Sequence, residues 1–334
     1  MSGRAEEAAL LDRIRGALLG GLCGDEIGRP AEGLDHRTLE SRLGRITGPL
    51  DRDGSAGAGT DDTALKHMLC EAIVRAGARP VTPDDWAAVW RERMDPAQFF
   101  VPVQNAYFKL IVERLPAQDC GVGNMLSNSS AMAISPIGIV NAGDAGAAYA
   151  EATSAARLIH RGVALEGAGA VSAAVAAAFR AGATVETVLD ASLSSLPAGG
   201  ELRLAIEAAV ALARSSRGYE DFRGHFYEQL LRPWPSRDPE RSIAVDPRET
   251  VPTALAVLLL AGGDPAETIL GCANFGRDAD TAATIGGAIA GALTGGDALP
   301  ADWVDFVSER TPVDQEDLAQ RLLGILRLRV GATV

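Results

Sequence analysis

Two short clusters of carboxylates and hydroxyls could do chemistry. Thr60-Asp61-Asp62-Thr63 follows a glycine-rich run ending Gly57-Ala58-Gly59 and leads into an apolar stretch. Arg277-Asp278-Ala279-Asp280-Thr281 opens a second apolar stretch, one that contains glycines. Taken singly, each is an ordinary helix start. Thr and Asp satisfy orphan N–H groups, and an acid in the first turn meets the positive end of the helix dipole. Taken together they offer more. If the two starts meet, four carboxylates crowd one site, and four like charges at close range cannot all stay ionised uncompensated. Two divalent cations would supply the compensation. Carboxylate and hydroxyl oxygens suit hard ions such as Mg²⁺, Mn²⁺ or Ca²⁺ rather than Zn²⁺. Spacing alone does not bring the two starts together.

The elements that would have to do so are helices. Leu10, Ile14, Ala17, Leu18 and Leu22 recur at helical spacing, as do Leu65, Met68, Leu69, Ala72 and Ile73. The pattern predicts further helices over roughly 144–160, 166–181, 200–214, 250–262, 265–274, 280–294, 301–309 and 314–328. β alternation is absent, so the fold is expected to be all-α, a single domain with an aliphatic core. Ala164–Ala178 and Ile285–Leu293 are apolar on nearly every face, the pattern of helices buried all round. Gly286, Gly287 and Gly291 lie in the second of these, each costing about 1 kcal/mol against alanine. Close helix–helix approach is the expected gain. Residues 40–60, 116–136 and 232–248 interrupt the pattern. Long loops in compact domains are often functional. The last, with Pro233, Pro235, Pro239 and Pro247, reads as a surface crossover without chemistry.

Composition narrows the class. Of 334 residues, 47% are hydrophobic, too many for a disordered chain, and only 5% are aromatic, so the core must be aliphatic. The net charge of −13, with no basic run, speaks against nucleic acid as a partner. Lysine occurs only at 66 and 109, so nearly all positive charge is arginine. Cys23, Cys70, Cys120 and Cys272 form neither a CxxC pair nor a zinc spacing, and read as buried small hydrophobes in a reduced, cytoplasmic protein. The N-terminus lacks a signal-peptide pattern, and apolar runs such as 254–263 are too short to span a membrane. P-loop, Rossmann, GxSxG and HExxH signatures are all missing.

Gly59-Thr60-Asp61-Asp62-Thr63 and Gly276-Arg277-Asp278-Ala279-Asp280-Thr281-Ala282 resemble the two signature motifs of the ADP-ribosylglycohydrolases. A third match is Gly24-Asp25-Glu26-Ile27-Gly28-Arg29-Pro30-Ala31-Glu32, which resembles the family's G-D-x-x-G-x-x-x-E. The motifs occur in family order from about residue 10 to 295. The resemblance implies a single-domain orthogonal helical bundle over 1–334, core about 10–328, with two Mg²⁺ (or Mn²⁺) ions in a cleft. It puts Thr60, Asp61, Asp62, Asp278, Asp280 and Thr281 on metal-ligand positions and Glu32 on that of a catalytic carboxylate. Asn128, Ser129 and Ser130 resemble a loop that touches the diphosphate and nucleoside of ADP-ribose, and His160 resembles a histidine near the ligand. Asp25 supports the site or caps a turn. Where the family often carries an arginine after the methionine of the 128–132 loop, this chain has Ala133.

Cleaving a glycosidic bond to ribose passes through an oxocarbenium-like centre. Cations can grip the ribose diol and acidify a water. Glu32 would then move a proton to or from water or leaving group, with Asp62 as the second carboxylate. The expected activity is removal of ADP-ribose from a modified protein side chain by a cytoplasmic, bacterial enzyme, with the monomer favoured. Two alternatives stay open: a hydrolase of a small ribosylated metabolite or nucleoside, which the change at Ala133 favours, and a non-catalytic ADP-ribose-binding or structural protein.

Overall fold

The computed structural model describes residues 3–51, 57–231 and 245–331. Most of the expected crossover at 232–248 therefore lies outside the described residues. Among those residues there are seventeen α-helices and no strand. The all-α expectation holds.

In chain order, α1 (Gly3–Gly28) is followed by a 3₁₀ turn at Arg29–Ala31 and by α2 (His36–Leu43). Next come α3 (Asp61–Ala76), α4 (Pro83–Arg93) and α5 (Val101–Ile111). The short α6 (Ser129–Ala133) and α7 (Ser135–Val140) lead into α8 (Ala145–Ala155) and α9 (Val163–Ala178). Then follow α10 (Val185–Ser194), α11 (Glu201–Ser215) and α12 (Tyr219–Gln229). The remainder is α13 (Pro247–Leu260), α14 (Pro265–Phe275), α15 (Ala279–Thr294), α16 (Ala301–Ser308) and α17 (Gln315–Gly331). The 116–136 segment, expected as a loop, contains α6. Its five residues, all buried, are too few to show a period in sequence.

Local rules explain where the two key helices begin and end. Thr60 caps α3 by accepting from the Asp62 amide at 3.3 Å. Leu65, Leu69, Ala72 and Ile73 then form its buried stripe, and a fully buried leucine contributes on the order of 1.5–3 kcal/mol. Gly77, at φ +68°, stops it. α15 ends the same way, at Gly295 with φ +97°.

α15 lies at the centre of the molecule, buried along almost its whole length and packed on α1, α9, α13 and α14. Its approach to α1 depends on glycine. A Cβ on Gly20 would sit 2.2 Å from the Gly287 carbonyl oxygen, and one on Gly16 2.2 Å from that of Gly291. One on Gly24 would sit 2.1 Å from the Ala283 carbonyl oxygen. The α1–α15 contact is therefore backbone against backbone over several turns. Gly286 points elsewhere, toward Thr268 and Cys272 of α14.

Candidate active site

The last turn of α1 joins the two acidic helix starts. Asp25 accepts from the Thr60 amide at 2.9 Å, the Thr60 hydroxyl at 2.8 Å and the Thr63 amide at 3.1 Å, as well as from the Thr63 hydroxyl. It thus fixes the start of α3 from another helix. One turn on, Gly28 meets the start of α15, where an added Cβ would lie 2.4 Å from the Asp280 Cα. The two clusters therefore meet. The Thr281 hydroxyl lies 3.4 Å from Asp62 Oδ1, at the limit of hydrogen-bond reach.

Burial is deep here: Asp62 is 2% exposed, Asp280 3% and Asp278 7%. Asp278 stands at the N-cap of α15 but makes no side-chain cap bond. Its Oδ2 instead accepts from the Asn128 amide group, which also donates to the Thr250 hydroxyl at 2.8 Å. Asn128 thereby holds a carboxylate of the second cluster. Asp61 Oδ2 accepts from the Phe100 amide at 3.2 Å, where α5 begins.

Charge is crowded as well as buried. Burial, then the negative charges of Asp25 and Glu32, push Asp61 up to about 6. Burial and Glu32, opposed by the Asn128 bond, push Asp278 up to about 7. Asp62 and Asp280 are driven well above the usual carboxylate range by burial, then by neighbouring carboxylates. Asp62 Oδ2 and Asp280 Oδ1 are buried without a hydrogen-bond partner. Buried polar atoms are rarely left so. Orphaned oxygens in an all-oxygen donor set fit a hard divalent cation. The fit is one of chemistry rather than of a finished cage. Among the described residues no three His, Cys, Asp or Glu side chains already surround a common ion position.

Glu32 caps the 3₁₀ turn after α1 and is exposed at the rim. Its loop is tied to the second cluster by two backbone bonds, Gly33 N–H to the Arg277 carbonyl at 2.7 Å and Arg277 N–H to the Leu34 carbonyl at 2.6 Å. Arg277 itself has φ +64°, a left-handed conformation that costs an arginine on the order of 1–3 kcal/mol. A buried two-point pair with Glu249, at 2.7 and 3.0 Å, holds it there. Beside Thr60 and Asp61 opens a cleft of about 590 Å³, lined also by Arg29, Thr63, His67 and Gln98.

Ser129 and Ser130 are buried in α6, next to Asn128. His160 is 1% exposed and lies among these serines. Ser127 Oγ is 2.9 Å from its Nε2 and Ser130 Oγ 2.6 Å from its Nδ1. Burial pulls its pKa down to about 3, so the ring is neutral. Both ring nitrogens thus face serines of the 127–130 segment.

Sequence reasoning missed Lys66, the Arg277–Glu249 pair and the bond from Asn128 to Asp278. Lys66 left a usable signal: it stands four residues after Asp62 on one helix, the spacing of facing side chains. The other two join residues 28 and 150 positions apart and leave no local trace.

The profile of a family described as ADP-ribosylglycohydrolase matches residues 6–330. An uncharacterized protein of Escherichia coli (strain K12), YegU, is 26% identical over 317 residues, covering 86% of this chain and 89% of its own. An uncharacterized protein of Archaeoglobus fulgidus is 27% identical over 329 residues, covering 93% and 96%. A solved "ADP-ribosylglycohydrolase-related protein complex" superposes with a TM-score of 0.67 at 22% identity, covering 96% of this chain and 99% of that one. At that identity the likeness speaks to the fold alone.

Proposed function

The chain belongs to the ADP-ribosylglycohydrolase family, and we propose that it removes ADP-ribose from a modified protein side chain, with two Mg²⁺ or Mn²⁺ ions as cofactors. Membership makes it a hydrolase of ribosyl bonds. The observation that carries the finer reading is the meeting of the two acidic helix starts, with orphaned oxygens on Asp62 and Asp280.

In this reading Thr60, Asp61, Asp62, Asp278, Asp280 and Thr281 hold the cations. When bound, these supply charge to grip the ribose diol and acidify a water. Glu32, exposed at the rim beside the second cluster, moves the proton to or from water or leaving group. Asp62 is the second carboxylate that stabilises the oxocarbenium-like centre. Asn128 orients Asp278, and the turn of Asn128, Ser129 and Ser130 forms the wall that the diphosphate of ADP-ribose meets. His160 keeps that turn in place, and the cleft beside Asp61 takes the leaving group. One domain spanning 1–334 carries the activity, and we take it to work as a cytoplasmic monomer. Four buried, unpaired cysteines suit a reducing compartment.

A second reading, hydrolysis of a small ribosylated metabolite, draws support from Ala133. This residue is fully buried on α6, where the family often carries an arginine. A panel separates the two: arginine-ADP-ribosylated protein, O-acetyl-ADP-ribose and simple nucleosides, each with Mg²⁺ and with chelator. Chelator-sensitive release of ADP-ribose from the protein is expected. Turnover of the nucleosides alone would replace the first reading by the second. Tight ADP-ribose binding without turnover of any substrate would make the chain a binding protein.

A further inference from the structure

Lys66 is a buried charge that the reaction leaves unused. It sits on α3 one turn after Asp62, 2% exposed, and its ammonium group has no hydrogen-bond partner. A buried, unpartnered cation is costly unless charge compensates it. Burial pulls the Lys66 pKa down, and the opposite charges of Asp25 on α1 and Asp62 on its own helix act against that. On the α1 side the ammonium faces Gly21, where an added Cβ would lie 2.7 Å from Nζ. The same glycine faces Ala288 and the Thr284 carbonyl of α15. Lys66 thus fills the junction of α1, α3 and α15, one turn along α3 from Asp62.

We propose that Lys66 is a resident counter-cation of the carboxylate cluster, which holds Asp25 and Asp62 together without metal and weakens the grip on a divalent ion on the Asp62 side. The inference rests on the metal reading above and deepens it. A unit positive charge one helical turn from Asp62 attracts that carboxylate and repels any divalent ion bound to it. At an effective dielectric of about 20, both effects are large enough to change an equilibrium tenfold or more.

Two measurements on the full chain test this, each read without activity. Calorimetric Mg²⁺ titration compares the chelator-stripped wild type with Lys66→Met, which keeps the side chain's length and removes its charge. The variant is expected to melt lower without metal and to bind Mg²⁺ at least about tenfold more tightly. Equal or weaker Mg²⁺ binding by the variant would overturn the proposal and leave the metal reading intact. No Mg²⁺ binding by either protein would overturn the metal reading first and the proposal with it. The second measurement needs no variant. With two lysines in the chain, lysine-selective isotope labelling gives two resolvable side-chain signals. The Lys66 signal is expected to move on Mg²⁺ saturation while that of Lys109 stays. A Lys66 signal unmoved at saturation would overturn the proposal.

Discussion

Asp278 and Asn128 show what residue identity reveals and what it conceals. Asp278 looked like a helix cap by type and position, yet its carboxylate turns from the helix end toward a side chain 150 positions away. Residue types named the donors; only the fold names their partners. If Asn128 positions a metal ligand, Asn128→Ala should weaken Mg²⁺ binding about 10–100-fold, as loss of a supporting partner usually does. Calorimetry checks this, and an effect confined to KM for substrate would return Asn128 to substrate binding alone. Glu32 should behave oppositely. Glu32→Gln is expected to lower kcat by about 10²–10⁴, a larger loss than any it causes in Mg²⁺ affinity. A variant with full kcat would remove Glu32 from the proton transfer.

At the scale of elements, α1 acts as a common rod. Asp25 holds α3 and Gly28 abuts α15, so the register between the acidic starts depends on the glycine contact along α1 and α15. Gly24→Ala places a methyl group 2.1 Å from a backbone oxygen. Overpacking of this kind costs about 1–3 kcal/mol. The melting temperature should fall and Mg²⁺ affinity with it, because the helix starts separate. Gly224→Ala is the control. Gly224 lies inside α12 with open space around it, so alanine should stabilise by about 0.5–1 kcal/mol and leave metal binding unchanged. Thermal melts of both variants decide the matter. Most of the long helices were legible in sequence. The stretch expected at 280–294 is observed at Ala279–Thr294, and that expected at 265–274 at Pro265–Phe275. Apolar periodicity marks long amphipathic or fully buried helices well. It missed the shorter helices α2, α5, α10 and α12, and also α6, whose five residues are shorter than two helical turns.

For the whole molecule, the acidity first seen as a net charge of −13 resolves into a surface and a core. Buried carboxylates make the metal-free protein pH-sensitive in a defined direction. Asp61 near 6 and Asp278 near 7 lie above their ordinary 3.8, so the folded chain holds protons that the unfolded chain has released. Their contribution to stability is complete below pH 3.8 and is lost as pH rises through about 7. His67 near 4 and His160 near 3 lie below their ordinary 6.5 and act in reverse, losing stability as pH falls below 6.5. The histidine contribution is common to both forms and cancels in the difference between metal-loaded and chelated melting temperatures. A divalent ion competes with the carboxylate protons. That difference is therefore expected to grow as pH rises from about 5 to about 8. A flat difference would mean that these carboxylates do not bind the ion. The central claim is that two helix starts, far apart in sequence, build one metal centre. An Mn²⁺ titration followed by electron paramagnetic resonance tests it most directly, on the wild type, Asp62→Asn and Asp278→Asn. The account predicts that the wild type binds Mn²⁺ and that each single substitution weakens all of that binding. Full-affinity binding in either variant would contradict it.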